Sequence, residues 1–166
     1  MTATFDSRGP TITPAEVSAF EATLPKPLPP DYRAFLLDQN GGSTHLWWPP
    51  EVGAVSLTIE MIYSLGEVED YQSLLGARDS FEDVLPGVFL PIGEDPGGAQ
   101  ICLSLQDEDY GAIWLYDPEL EYDPAESPDP DLLTPICGSF NQLIATLERA
   151  PDFEGAERRV AAARGQ

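Results

Sequence analysis

The 166-residue chain is 42% apolar and carries 29 Asp and Glu against eight Lys and Arg, a formal net charge of −21. That length favours one domain with a single sizeable core, and an ordinary apolar fraction excludes a wholly disordered chain. Phosphate binding needs Lys and Arg to displace counterions, so no direct nucleic-acid partner and no anionic membrane partner is expected, and a basic partner is the natural one.

The imbalance is uneven, with 22 acidic residues and one basic residue, Arg78, between Ala34 and Glu148. A purely solubilising role for that charge is the competing reading. Cys102 and Cys137 match no Cys-x-x-Cys spacing, which points to reduced thiols of a cytoplasmic protein. The first residues lack the basic and apolar regions of a secretory signal, and no apolar stretch approaches membrane-spanning length.

Residues 1–12 read as a flexible leader. Thr13 then caps a helix, with Pro14 at its first position, Glu16 closing a capping box and Ile12 placed to staple onto Val17. Val17, Phe20 and Leu24 share one face, and Pro25 stops the helix. A second helix opens at Pro30, places Asp31 in its first turn, and aligns Tyr32, Phe35 and Leu36 as an apolar stripe. Asn40-Gly41-Gly42 supplies the left-handed residue that ends it.

Beyond Gly42 the period becomes two. His45 to Trp48 is a short aromatic run, and Val55, Leu57, Ile59, Met61, Tyr63 and Leu65 alternate as a strand, or a strand-turn-strand, with one buried face. Tyr71, Leu74 and Leu75 indicate a helical turn or two, and Phe81 to Leu85 another short turn. Val88 to Gly93, Ile101 to Leu105 and Gly111 to Tyr116 form three further strands, reversed at Glu94 to Gly98 and at Asp107-Glu108-Asp109: an antiparallel meander. Residues 117–135 hold seven carboxylates and five prolines and read as a loop. Ser139 caps a last helix, in which Phe140, Leu143, Ile144 and Leu147 face inward, expected to run to Pro151, and 151–166 is a tail. The fold class is therefore α+β: a mostly antiparallel sheet covered by an N-terminal helical pair and a C-terminal helix, one domain over 13–150.

In this order the motifs resemble the SUKH superfamily, which includes the Smi/Knr-type domain. Leu28-Pro-Pro-Asp-Tyr-Arg-Ala-Phe-Leu through Asn40-Gly41-Gly42, Leu90-Pro-Ile-Gly-Glu-Asp-Pro-Gly-Gly98, Tyr110-Gly-Ala-Ile-Trp114 and the Ser139-Phe140 helix carry the resemblance. It implies an α+β fold and, for most bacterial members, an immunity protein that binds and neutralises a toxin, commonly a nuclease. Some members are regulatory binding proteins without a toxin, which is the alternative here. The toxin is not fixed by the scaffold, because one fold serves many partners.

Enzymatic chemistry finds little in the residues. His45 is a lone histidine, neither cysteine sits in a nucleophile signature, and Gly97-Gly98 lacks the lysine of a phosphate loop. Asp107-x-Asp109 and Asp129-x-Asp131 continue into no EF-hand pattern, so neither a metal nor another cofactor is expected. Partner-binding candidates are Trp47 and Trp48, whose side chains point to opposite faces of a strand, together with Asp107, Glu108, Asp109, Asp117, Glu119, Glu121 and Asp123 as carboxylates for a cationic toxin.

Overall fold

A computed structural model describes residues 5–48, 57–117 and 133–149. Helices α1 (Pro14–Glu21) and α2 (Pro30–Asp38) precede strands β1 (Gly42–Trp48) and β2 (Leu57–Ile62). A 3-10 turn at Asp70–Gln72 leads into α3 (Leu74–Ser80). The meander follows as β3 (Phe89–Glu94), β4 (Gln100–Ser104) and β5 (Ile113–Tyr116), and then come β6 (Leu133–Cys137), α4 (Phe140–Thr146) and β7 (Glu148–Arg149). The seven strands form one sheet in the order β6-β5-β4-β3-β2-β1-β7, and every pairing between them is antiparallel.

The predicted helix starts hold in atomic detail. Glu16 N–H donates to Thr13 Oγ1 at 3.2 Å while Thr13 N–H donates to the Glu16 carboxylate at 2.6 Å, closing the capping box. Tyr32, Phe35 and Leu36 are buried in the stripe of α2, where the Phe140 ring of α4 lies 5.2 Å from that of Tyr32 and 4.8 Å from that of Phe35. The sheet alternates beneath them: Leu90, Ile92, Ile101, Leu103, Ile113 and Leu115 join the helices in the main core. Phe89, Cys102 and Tyr116 form a second, smaller cluster with Leu85, with Trp114 packed against it.

Four expectations require adjustment. Residues 5–12, read as a flexible leader, are tied to the domain: Asp6 N–H donates to the Ser43 carbonyl at 2.9 Å, and Phe5 lies 5.6 Å from Phe35, ring to ring. Glycine makes this approach possible, because a Cβ on Gly42 (φ 129°) would stand 2.2 Å from the Ser7 carbonyl oxygen. The strand around Ile59 alternates as expected, with Ile59 and Met61 buried and Glu60 exposed, and departs only at its end, where Ile62 and the following Tyr63, Ser64 and Leu65 are buried on both faces. Its Val55 lies outside the described residues.

The predicted loop 117–135 gives up its last three residues to β6, whose Pro135 is tolerated at a sheet edge where one backbone side needs no partner. The last helix stops at Thr146, short of Pro151. Leu147 turns extended at φ −64° and ψ 133°, and Glu148–Arg149 close the outer side of β1 as β7. Residues 151–166 lie outside the described residues.

Candidate functional site

The nominated residues fall at opposite ends of the sheet. β3 runs from Phe89 to Glu94 and β4 returns to Ser104 opposite Phe89, so Asp107, Glu108 and Asp109 lie at the Phe89 end. Trp47 and Trp48 pair with Thr58 and Leu57, whereas Met61 pairs with Glu94. The tryptophan end of β1 is therefore the end at which β3 and β4 reverse, and β2, β3 and β4 separate β1 from β5. Asp117 follows Tyr116, which pairs with Gln100, and so shares the reversal end with Trp47 and Trp48. Glu119, Glu121 and Asp123 lie outside the described residues.

The acidic β4–β5 turn is largely committed to its own fold. The Ser104 hydroxyl donates to Asp109 Oδ1 at 2.5 Å, and the Trp114 indole Nε1–H donates to Asp109 Oδ2 at 2.7 Å. One carboxylate thus satisfies the two residues that flank the turn, a charge-assisted arrangement that orders the hairpin. The exposed Asp107 pairs with Lys26 of the α1–α2 connector, and the Tyr110 hydroxyl donates to the Pro27 carbonyl in the same connector. Lys26 also stands 5.6 Å from the Tyr110 ring centroid. Of the three carboxylates, only Glu108 is exposed and makes no side-chain bond among the described residues.

The reversal end is built differently. Asp95 Oδ1 accepts from Gly97 N–H at 2.9 Å and Ala99 N–H at 2.8 Å, fixing the Asp95-Pro96-Gly97-Gly98 turn, in which Gly98 has φ +91°. The Tyr63 hydroxyl donates to Gln100 Oε1 at 2.7 Å and lies 3.3 Å from Glu94 Oε2, while Gln100 Nε2 donates to the Gly98 carbonyl at 3.0 Å. A groove of about 520 Å3 opens here between α3 and the reversal, lined by Tyr63, Asp70, Tyr71, Phe81, Glu94 and Gln100 among others. Burial pushes the Glu94 carboxyl above its ordinary pKa, and the neighbouring charges of Glu60 and Asp95 push the same way. Sequence patterning alone does not bring these residues together. Glu94 and Gln100 flanking a Pro-Gly-Gly reversal was the available signal, because adjacent antiparallel strands place such residues side by side.

His45 Nδ1 lies 3.0 Å from an Asp6 carboxylate oxygen, on a strand remote from β4 and β6, and it does not meet either cysteine. Burial pushes the Cys102 thiol far above its ordinary value and the Cys137 thiol up to about 11, so both are thiols at neutral pH. Among the described residues there is no cluster of three or more His, Cys, Asp or Glu arranged for a metal, and no helix long and apolar enough to cross a membrane.

Fold and surface together define an α+β domain whose ordered core carries an acidic exterior. The chain belongs to the SMI1 / KNR4 family (SUKH-1), whose family model matches residues 11–146. It is 34% identical over 86 residues to the SPbeta prophage-derived uncharacterized protein YokK of Bacillus subtilis (strain 168), a match covering 52% of this chain. The matched region spans 40% of that relative's length.

Proposed function

We propose that the chain is a non-enzymatic immunity protein that binds a cognate cationic toxin, a nuclease on our reading, and neutralises it by covering its active site. It acts in the cytoplasm of a bacterium carrying a polymorphic-toxin or contact-dependent system. Family membership supports the class, and the 22-to-one charge ratio between Ala34 and Glu148 is the observation that carries the partner's sign. A nuclease active site must attract a polyanion, so a surface of carboxylates is its natural competitor. Charge complementarity of this kind raises association rates by roughly 10- to 1000-fold and fades as salt is added.

Co-expression with the product of the adjacent upstream open reading frame tests the reading. The expected result is toxicity of that product alone, growth rescue by this chain, and a co-purifying pair whose association slows steeply between low and high salt. A non-toxic neighbour, or a toxic one that this chain neither rescues nor captures, refutes it. Asp109→Asn serves as an internal contrast: since Asp109 is bonded to Ser104 and Trp114, its loss should lower stability rather than specifically slow association.

A further inference from the structure

We infer that the groove between α3 and the β3–β4 reversal receives a protruding arginine or lysine side chain of the protein partner. Its lining points to a cation attached to a flexible apolar stem. Glu94 and Asp70 supply carboxylates to its lining. Tyr71, exposed over 63% of its surface, is the most exposed large apolar side chain among the described residues, and its ring offers a face to a cation. Phe81 adds apolar surface for a methylene stem.

The floor is preorganised. Tyr63 and Gln100 are buried, and they hold each other through the 2.7 Å hydroxyl-to-amide bond, while Gln100 is anchored in turn on the Gly98 carbonyl. Glu94 leans on this pair through the longer 3.3 Å contact with the Tyr63 hydroxyl, so its carboxylate has a fixed position and only a neutral partner. Among the described residues no Lys, Arg or His lies within ion-pair distance of Glu94, and its charged neighbours Glu60 and Asp95 are both acidic. By contrast, Lys26 and Arg33 are engaged with Asp107 and Glu21 elsewhere in the fold. A cation entering the groove relieves like-charge repulsion, replaces the water lost by Glu94, and finds a fixed acceptor: the conditions under which an ion pair adds affinity rather than breaking even.

The toxin as owner of that side chain rests on the immunity reading, but the groove's selectivity for a cation does not, and the test separates them. N-acetyl-arginine amide is titrated into the isotope-labelled chain, with N-acetyl-glutamine amide as the neutral control, and amide shifts are followed by NMR. The expected result is saturable shifts at Gly98 and at the Gln100 side-chain amide with the arginine probe, absent with the glutamine probe and lost in Glu94→Gln. Shifts spread evenly over the acidic surface, or unchanged in Glu94→Gln, overturn the inference. Tyr71→Ala, at an exposed position, gives a second variant that folds independently of the Glu94 result and should weaken the same shifts. In a pull-down with the cognate toxin, Glu94→Gln is expected to weaken binding roughly tenfold while Glu67→Gln, at an exposed position outside the groove, leaves it near the wild-type value. Toxin binding equal in both variants refutes the groove while leaving immunity intact, and arginine binding without any toxin partner does the reverse.

Discussion

Asn40 holds three segments together from a position that reads in the sequence only as a helix stop. It is buried, with 2% of its surface exposed, and sits at φ 51° immediately after α2. Its Nδ2 donates to the Pro10 carbonyl at 2.8 Å and to the Leu65 carbonyl at 2.7 Å, and its Oδ1 accepts from Leu65 N–H at 2.9 Å. One side chain therefore ties the N-terminal segment, the end of α2 and the chain beyond β2. Asn40→Gly keeps the left-handed backbone and removes all three bonds. At about 1 kcal/mol net per bond the loss is about 3 kcal/mol, less about 1 kcal/mol regained because glycine adopts this φ without strain. The balance is a destabilisation of about 2 kcal/mol, a large share of a typical total of about 5–15 kcal/mol.

Asn40→Ala loses the same bonds and keeps the strain, so it should fall about 1 kcal/mol below the glycine variant. Urea unfolding followed by tryptophan fluorescence measures both differences. Trypsin supplies a local readout, since release of Pro10 should free the backbone around the already exposed Arg8 and speed cleavage after it. A glycine variant within about 0.5 kcal/mol of wild type, or Ala equal to Gly, refutes the assigned role.

Two further outcomes follow from buried groups. Tyr32 is fully buried and its hydroxyl has no hydrogen-bond partner among the described residues, so Tyr32→Phe should stabilise the fold by about 1 kcal/mol in the same assay; a loss of that size would refute the orphaned hydroxyl. Burial raises the Cys137 thiol to about 11 from an ordinary value of 9.0, so the folded state holds this proton more tightly than the unfolded chain. Its contribution is whole below pH 9, and is lost as pH rises toward about 11; unfolding midpoints should fall across that window, with a shallower slope in Cys137→Ala.

How legible these features were depended on how far each interaction reaches. The Thr13, Pro14 and Glu16 start of α1 and the Tyr32, Phe35, Leu36 stripe were readable because caps and helix faces are set within four residues. The meander was readable because β3, β4 and β5 alternate and are joined by short turns. β7 was not, since two residues carry no period and are recruited only because β1 needs a partner on its outer side. The same limit governed the candidate site. Asp109 looks like a surface charge until the hairpin folds and delivers Ser104 and Trp114 to it from either side. Glu94 and Gln100 looked like flanks of a turn until Tyr63, more than 30 residues away, was brought between them.

The two acidic ends of the sheet therefore differ in what their charge costs. At the β4–β5 turn, Asp107 and Asp109 are compensated by Lys26, Ser104 and Trp114, and the charge supports the fold. At the reversal, Glu94 is partly buried beside Glu60 and Asp95, and its carboxyl is raised above the ordinary value. A raised folded-state pKa means that the proton stabilises the fold at low pH, and that this contribution is lost as pH rises through the folded value. At neutral pH the ionised Glu94 is consequently a net burden on the free protein. Glu94→Gln should then match wild-type stability below about pH 4.5, where both side chains are neutral, and exceed it at pH 7. If the same substitution that strengthens the fold weakens capture of a cationic partner, the burden is the cost of recognition, as in other sites where function and stability pull apart. If it lowers stability and binding together, Glu94 belongs to the scaffold and the groove has no claim on the partner.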